Sequence, residues 1–325
     1  MMAAKTPQVA PQWVCPRCRK MQTEDVGLCP EDGMSLILDR RGDLIAGRYE
    51  LIKLLGLGGS GSTVWEATQL PVNRPVALKF APLGDSDGVA RFERGAKIMA
   101  SMSHPHIAKV HDYGLTPFGD RFLAMEKLTG VPLTRRLKAG DLTRAEIQRI
   151  VAQMLHALEH VHRAGIIHRD IKPDNVFVTT VNDDTCFAKL LDFGIARADG
   201  VRAEIDLEIT QQRQITGTPE YMAPEQVVGS TLDHRADIYA VGICLFRMLT
   251  GVLPFDSDSR RKIYQAKLSD TPPTLSEAAP GATFSDSLQV IITRCLRTLP
   301  AERYPSADDM REAVEEADFS VTQPE

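Results

Sequence analysis

His168-Arg169-Asp170-Ile171-Lys172-Pro173-Asp174-Asn175 is the stretch on which the reading of this 325-residue chain turns. A carboxylate, a cation and a carboxamide stand together in one short loop. Asp170 can orient a hydroxyl group and accept its proton. Lys172 adds positive charge beside a group in transfer, and Asn175 offers an amide oxygen to a hard cation. A second oxygen ligand, Asp192, follows in Asp192-Phe193-Gly194. Upstream lies Gly56-Leu57-Gly58-Gly59-Ser60-Gly61, where the backbone can come close to phosphates with no Cβ in the way. Taken in order, these strings describe most of an ATP-dependent phosphoryl-transfer site.

A lone G-x-G-x-x-G is weak evidence, and its context decides. A dinucleotide-binding fingerprint should run into a helix. Here Ser62-Thr63-Val64-Trp65-Glu66-Ala67-Thr68 follows, β-branched and aromatic, which predicts a strand and makes the loop a hairpin flap. Ser62 stands where a Walker A loop has its Lys. In Val76-Ala77-Leu78-Lys79, alternation puts Val76 and Leu78 on one strand face and Ala77 and Lys79 on the other. A small residue and a cation on one face suit an adenine ceiling and a phosphate contact.

With these strings in this order, the chain resembles the protein-kinase family, in particular bacterial serine/threonine kinases of the eukaryotic type. The resemblance covers about residues 48–318 and rests on further matches: Gly217-Thr218-Pro219-Glu220-Tyr221-Met222-Ala223-Pro224-Glu225, Asp233-His234-Arg235-Ala236-Asp237-Ile238-Tyr239, and Cys295-Leu296-Arg297-Thr298-Leu299-Pro300-Ala301-Glu302-Arg303. Lys172 and Thr218 match the serine/threonine branch. The resemblance implies an α+β, two-lobed protein-kinase fold, with a small β-rich lobe over 48–125, a large helical lobe over 129–318 and a tail over 319–325. It implies transfer of the γ-phosphoryl group of MgATP to Ser or Thr hydroxyls of proteins, with autophosphorylation expected. The implied catalytic residues are Asp170, Lys172, Asn175 and Lys79. Gly56, Leu57, Gly58, Gly59, Ser60, Gly61, Val64, Ala77 and Lys79 are the implied nucleotide contacts of the small lobe. Glu126, Leu128, Phe177 and Asp192 complete that set, with Met125 as gatekeeper of a Met125-Glu126-Lys127-Leu128 hinge. Asn175 and Asp192 are the implied ligands of Mg²⁺ (or Mn²⁺), and Glu225 is expected to pair with Arg303.

The segment from Asp192 to Glu225 corresponds to the activation segment. Thr210 and Thr216 are candidate phosphosites, since Arg169 can pair with a phosphate there. Thr218 is expected to be structural and to lie near Asp170. One part of the pattern is missing. Active kinases hold the strand Lys with a helix Glu. The helix here reads Arg91-Phe92-Glu93-Arg94-Gly95-Ala96-Lys97-Ile98-Met99-Ala100, with Gly95 where the relatives have Glu. Glu93 lies ~200° around the helix from that position and reaches Lys79 only if the helix rotates or unwinds. Weak activity, partner-dependent activity and a pseudokinase-like nucleotide-binding scaffold all stay open. The presence of every other catalytic residue favours a modified but working site.

The N-terminus carries a different chemistry. Cys15-Pro16-Arg17-Cys18 and Cys29-Pro30-Glu31-Asp32-Gly33 look like two half-knuckles of a small zinc ribbon. Asp32 stands where a fourth Cys is usual, so the expected Zn²⁺ ligands are Cys15, Cys18, Cys29 and Asp32. Residues 1–36 are expected to hold a disordered start and this module, and 37–47 a linker. So short a module cannot build a stable core without metal.

Composition bounds the rest. A hydrophobic content of 43 % supports a sizeable core. With 38 basic and 43 acidic residues, the net charge of −5 gives no general attraction to nucleic acid or anionic membrane. The expected partners are therefore ATP and protein substrates, with no nucleic acid. No apolar run approaches ~18 residues, and the start lacks an apolar signal core, so a cytoplasmic chain without a membrane segment is expected. Cys186, Cys244 and Cys295 sit amid apolar neighbours and are expected to be buried thiols. Thr143-Arg144-Ala145-Glu146 is a capping box ahead of an apolar stripe from Ile147 to Val161, and Ile238–Leu249 fits a buried central helix.

Overall fold

β-branched and aromatic residues recur through Tyr49–Leu57, Thr63–Gln69 and Arg74–Phe80, and these three segments are extended. The computed structural model describes residues 12–24, 26–57, 62–81, 86–116, 119–182, 184–192, 218–269 and 271–320. The chain divides into two units, residues 1–96 with 110–127, and residues 97–109 with 128–325.

In the first unit, β4 (Leu44–Ile45), β5 (Tyr49–Leu57), β6 (Thr63–Gln69), β7 (Arg74–Phe80), β8 (Val110–Leu115) and β9 (Arg121–Glu126) form one antiparallel sheet in the order β4-β5-β6-β7-β9-β8. Its core is the inward set Tyr49, Leu51, Trp65, Val76, Leu78 and Phe122, each at most 1 % exposed. Tyr49 meets Phe122 edge to face at 5.7 Å, and its hydroxyl donates to Asp112 Oδ2 at 2.8 Å, so the buried ring keeps its polar atom satisfied. A second, small sheet orders β2 (Met21–Gln22), β1 (Trp13–Val14) and β3 (Ile37–Leu38). Residues 37–47, expected to be a linker, carry β3 and β4. Arg40 lies 4.4 Å over the Phe80 ring and Ile37 packs on the sheet core, so this stretch is built into the unit. Helix α1 (Ser86–Ser101) runs through Gly95 without a break.

The second unit is helical, with one three-stranded sheet of β10 (Gly130–Pro132), β11 (Val176–Val181) and β12 (Asp184–Leu190). After α2 (Leu133–Ala139), α3 (Arg144–Arg163) opens with the expected capping box, Thr143 accepting from Glu146 N and the Glu146 carboxylate accepting from Thr143 N. The apolar stripe of α3 is buried from Ile147 to Val161. After α4 (Pro224–Val228), α5 (Arg235–Thr250) is buried over Ala236–Phe246, as its nearly uniform apolar composition requires. The helices α6 (Arg260–Ser269), α7 (Leu275–Ala278), α8 (Asp286–Cys295) and α9 (Ala307–Glu316) follow. Gly242 lets α5 and α8 approach closely, since a Cβ there would come within 2.6 Å of Cys295 Cβ. Cys186, Cys244 and Cys295 are buried free thiols, and burial pushes the Cys186 thiol up to about 11. Among the described residues no helix is long and apolar enough to cross a membrane.

Candidate active site

The loop from His168 to Asn175 is fixed from below by α5. Asp237, 1 % exposed, accepts from His168 N (2.8 Å) and Arg169 N (2.8 Å), and from His162 Nε2 (2.8 Å). Burial alone would raise this carboxyl. The His162 bond, the nearby histidines and the His168 amide outweigh it and hold Asp237 below its usual value. Two amides on one carboxylate bend the backbone, and Arg169 takes φ 66°, a left-handed conformation that costs an L-residue about 1 kcal/mol. Gln226, in α4, adds a bond from Nε2 to Arg169 O at 3.1 Å.

His168 is fully buried, and that burial lowers its pKa and keeps it neutral. A neutral ring has one donor and one acceptor nitrogen. Both are used: Nε2 donates to Leu191 O at 3.1 Å, and Nδ1 accepts from Asp170 N at 3.4 Å. The histidine thus ties the loop to the residue before Asp192. Asn175 O accepts from Leu191 N at 2.8 Å and strengthens the same tie.

Asp170 stands at the top of this network. Its Oδ2 accepts from Lys172 Nζ at 2.8 Å and from Asn175 Nδ2 at 2.9 Å. Asn175 Nδ2 also donates to Asp170 O at 2.8 Å, so the amide orientation is set and Oδ1 is the end left to face a cation. Asp192 follows at φ 44°, again left-handed. Asp170 also lines a recess with Arg169, Thr218, Tyr221 and Met222, which places Thr218 near Asp170 as expected. Glu225 and Arg303 meet fork to fork at 2.7 Å and 2.7 Å, with Arg303 2 % exposed. The remaining Arg303 donors reach the carbonyls of Arg297, Arg235 and Thr298, so all five N–H groups are satisfied.

The first unit carries the predicted residues of the small lobe. Register sets Gly56 opposite Val64, Val64 opposite Lys79, and Ala77 opposite Met125. Val64, Ala77, Lys79 and Met125 therefore share one sheet face. Leu57 ends β5, and Glu126 ends β9. Gly58, Gly59, Ser60 and Gly61 lie outside the described residues, as do Phe193, Gly194, Thr210, Thr216 and Gly217. Leu128 and Phe177 belong to the second unit, Phe177 in β11 opposite Lys189. In α1, Glu93 Oε1 accepts from Tyr113 Oη at 3.1 Å and from Arg121 Nε. That carboxylate is engaged with β8 and β9.

The four N-terminal ligand candidates converge. Their ligand atoms lie within 4.8 Å of one another, with Cys18 Sγ 3.6 Å from Cys29 Sγ and Cys15 Sγ 3.4 Å from both Asp32 oxygens.

A protein kinase domain model matches residues 49–315. This chain belongs to the protein kinase family. It is similar to the serine/threonine-protein kinase pkn3 of Myxococcus xanthus, 39 % identical over 281 residues that cover 85 % of this chain and 51 % of pkn3. It is similar to the serine/threonine-protein kinase PknD of Mycobacterium tuberculosis, 39 % identical over 275 residues that cover 83 % of this chain and 40 % of PknD. Against the serine/threonine-protein kinase pkn2 of Myxococcus xanthus it is 34 % identical over 292 residues, 89 % of this chain and 34 % of pkn2. The chain thus spans about half or less of the length of these relatives.

The kinase motifs locate Asp170, Lys172 and Asn175 from sequence, and the structure brings them onto one carboxylate oxygen. Sequence reasoning leaves the buttress unassigned: Asp237 appears only as a landmark, and His162 and Gln226 do not appear at all. The one available signal for Asp237 is an acid at the head of an otherwise apolar helix, since a buried carboxylate needs donors.

Proposed function

We propose that this chain is a serine/threonine kinase that moves the γ-phosphoryl group of MgATP to Ser or Thr hydroxyls of protein substrates, itself included. The observation that carries the reading is Asp170, held by a buried network and flanked at Oδ2 by Lys172 and Asn175. Asp170 would orient the acceptor hydroxyl and take its proton. Lys172 would sit by the transferred group, and Lys79, with the glycine loop, would position the phosphates. Val64 and Ala77, with Glu126, Leu128 and Phe177, would hold the adenine. Asn175 Oδ1 and the Asp192 carboxylate would hold Mg²⁺, which when bound neutralises phosphate charge. Catalysis by these residues is positioning plus charge stabilisation. Six unpaired thiols and ATP as donor support the cytoplasm as the place of work. The test is Asp170→Asn, expected to lower transfer by roughly 10²- to 10⁴-fold while ATP binding persists. Undiminished turnover in that variant would overturn the assignment.

A second reading, a nucleotide-binding scaffold with impaired transfer, has one observation in its favour: Gly95 stands in α1 where the family has the helix Glu. Gly95→Glu separates the two. A large gain in turnover supports an impaired site, and an unchanged rate supports a working site with another partner for Lys79.

The N-terminal cluster reads as a structural Zn²⁺ centre of zinc-ribbon type. Four ligands at Zn–ligand distances of ~2.0–2.3 Å and tetrahedral angles sit about 3.5–3.8 Å apart. The 3.6 Å S–S separation falls in that range, the 3.4 Å from Cys15 Sγ to Asp32 lies just below it, and the whole set stays within 4.8 Å. The two knuckles also repeat one backbone turn, Arg19 N to Cys15 O and Gly33 N to Cys29 O, both at 2.9 Å.

A further inference from the structure

The two knuckles of the N-terminal module are alike in backbone but not in what surrounds them. Val14, immediately before Cys15, is 5 % exposed and belongs to the hydrophobic core of the large small-lobe sheet, with Tyr49, Leu51, Leu54 and Trp65. Arg19, immediately after Cys18, donates from Nη2 to Leu55 O at 3.1 Å. Leu55 is the last residue before Gly56, where the glycine loop begins. The acceptor is unusual too. The pairing of β5 with β6 shifts register between Leu54 and Gly56, so Leu55 is an extra, bulged residue without a partner in the ladder. Arg19 serves a carbonyl at the irregular point where the strand enters the loop.

Arg19 does this at a steric cost. It holds φ 63°, and the equivalent residue of the other knuckle is Gly33 at φ 68°, which adopts that conformation freely. Such a conformation persists only where the surroundings over-determine it. The module's own apolar support is slight: Cys15, Cys29 and Leu36, with Trp13 and Met34 packed against them. Among the described residues, the ligand cluster is the feature that ties the two knuckles to each other at their centre.

We propose that the Cys15, Cys18, Cys29 and Asp32 centre, loaded with a tetrahedral, thiolate-preferring divalent ion, braces strand β5 at its Leu55 bulge. The proposal rests on the zinc reading above and adds a role to it. Metal shapes the first knuckle, the knuckle sets Val14 and Arg19, and these fix the bulge at Leu55. Loss of the ion releases the strand and weakens nucleotide binding.

The experiment uses the full chain in four forms: as purified, stripped by chelator and returned to Mg²⁺, Cys18→Ser, and Arg19→Ala. Three quantities are measured on each: bound metal by elemental analysis and by Co²⁺ absorption, hydrogen exchange of the β5 amides, and ATP·Mg²⁺ affinity by calorimetry. The expected result is one bound metal in the purified form, with sulfur-to-cobalt charge-transfer bands after substitution. Stripping and Cys18→Ser should speed exchange in β5 and weaken ATP by roughly 3- to 10-fold, the scale of one lost hydrogen bond. Arg19→Ala should keep the metal and shift both readouts in the same direction. Unchanged exchange in α5 distinguishes this from global unfolding. Failure to bind Zn²⁺ or Co²⁺ through sulfur overturns the zinc reading and the brace with it. Metal binding with β5 exchange and ATP affinity unmoved in the stripped form and in Arg19→Ala overturns the brace alone.

Discussion

The catalytic loop and the first cysteine knuckle solve one backbone problem by opposite means. Each forces an arginine into the left-handed region, Arg169 at φ 66° and Arg19 at φ 63°. Under Arg169 lies a helical core, and the carboxylate of Asp237 accepts the amides of His168 and Arg169 from within it. Under Arg19 lie four ligand atoms within 4.8 Å of one another and a small apolar patch. A large domain can turn buried hydrogen bonds into rigidity, because its packed interior keeps water away from them. A module of this size cannot exclude water on that scale, and in the zinc reading proposed above an ion would supply the missing cross-link.

The comparison can be broken or sharpened by perturbing each support. The largest effect is expected at the module, because structural zinc contributes about 10–16 kcal/mol to folding small metal domains. Chelation should open β1 to β3 to protease while α3, α5 and α8 stay resistant. Cleavage of both at the same rate would erase the distinction. Next comes Asp237→Ala, which orphans His162 and two amides and should cost the whole domain about 3–5 kcal/mol in denaturant titration. A loss under ~1 kcal/mol would mean that the loop does not depend on α5.

A smaller effect separates the regions by pH. His104 is held down to about 4, first by burial and then by His156, His106 and His160. Folded His104 stays neutral where the unfolded residue, titrating near 6.5, takes up a proton. Stability from this group is therefore intact above about pH 6.5 and falls as pH drops from about 6.5 to about 4. The variant His104→Gln should flatten that acid limb, and an identical limb would sink the assignment. The smallest change is expected in α1, where Gly95→Ala should stabilise the helix by about 1 kcal/mol. A lower melting temperature would show that the glycine is needed for space.

Much of the site was legible because its chemistry demands residue types at fixed spacing. Asp170, Lys172 and Asn175 fall within one loop, so local sequence brings them together, and the structure finds them on one oxygen. The helix α3 was equally legible, since Thr143 and Glu146 cap it and its apolar stripe repeats with the helical period. Residues 37–47 were not, because β3 and β4 are two residues each and their polar neighbours look like a tether. Arg40 over Phe80 is a contact that no pattern within 37–47 foretells. Lys267 was hidden in the same way. In a polar helix it reads as solvated, yet it is 1 % exposed, lies 5.0 Å over Tyr239, and donates to Glu220 O at 2.8 Å. Burial brings its pKa down to about 7.

By itself the sequence determined which groups are available: a glycine-rich string, the carboxylates and amide of the motif loops, three thiols and an aspartate near the start, and the gap at Gly95. These follow from residue type and short spacing, which the chain carries wherever it folds. Only the tertiary structure decided what holds those groups still. Asp237 is 69 residues beyond His168, whose amide it accepts, and Arg303 is 78 beyond Glu225, so neither pairing is set by local periodicity. Leu55 is 36 residues from Arg19, and its carbonyl is available only because a bulge removes it from the ladder. Such contacts exist once distant segments pack and water is excluded, because a buried polar group must find its partner wherever the fold has put one.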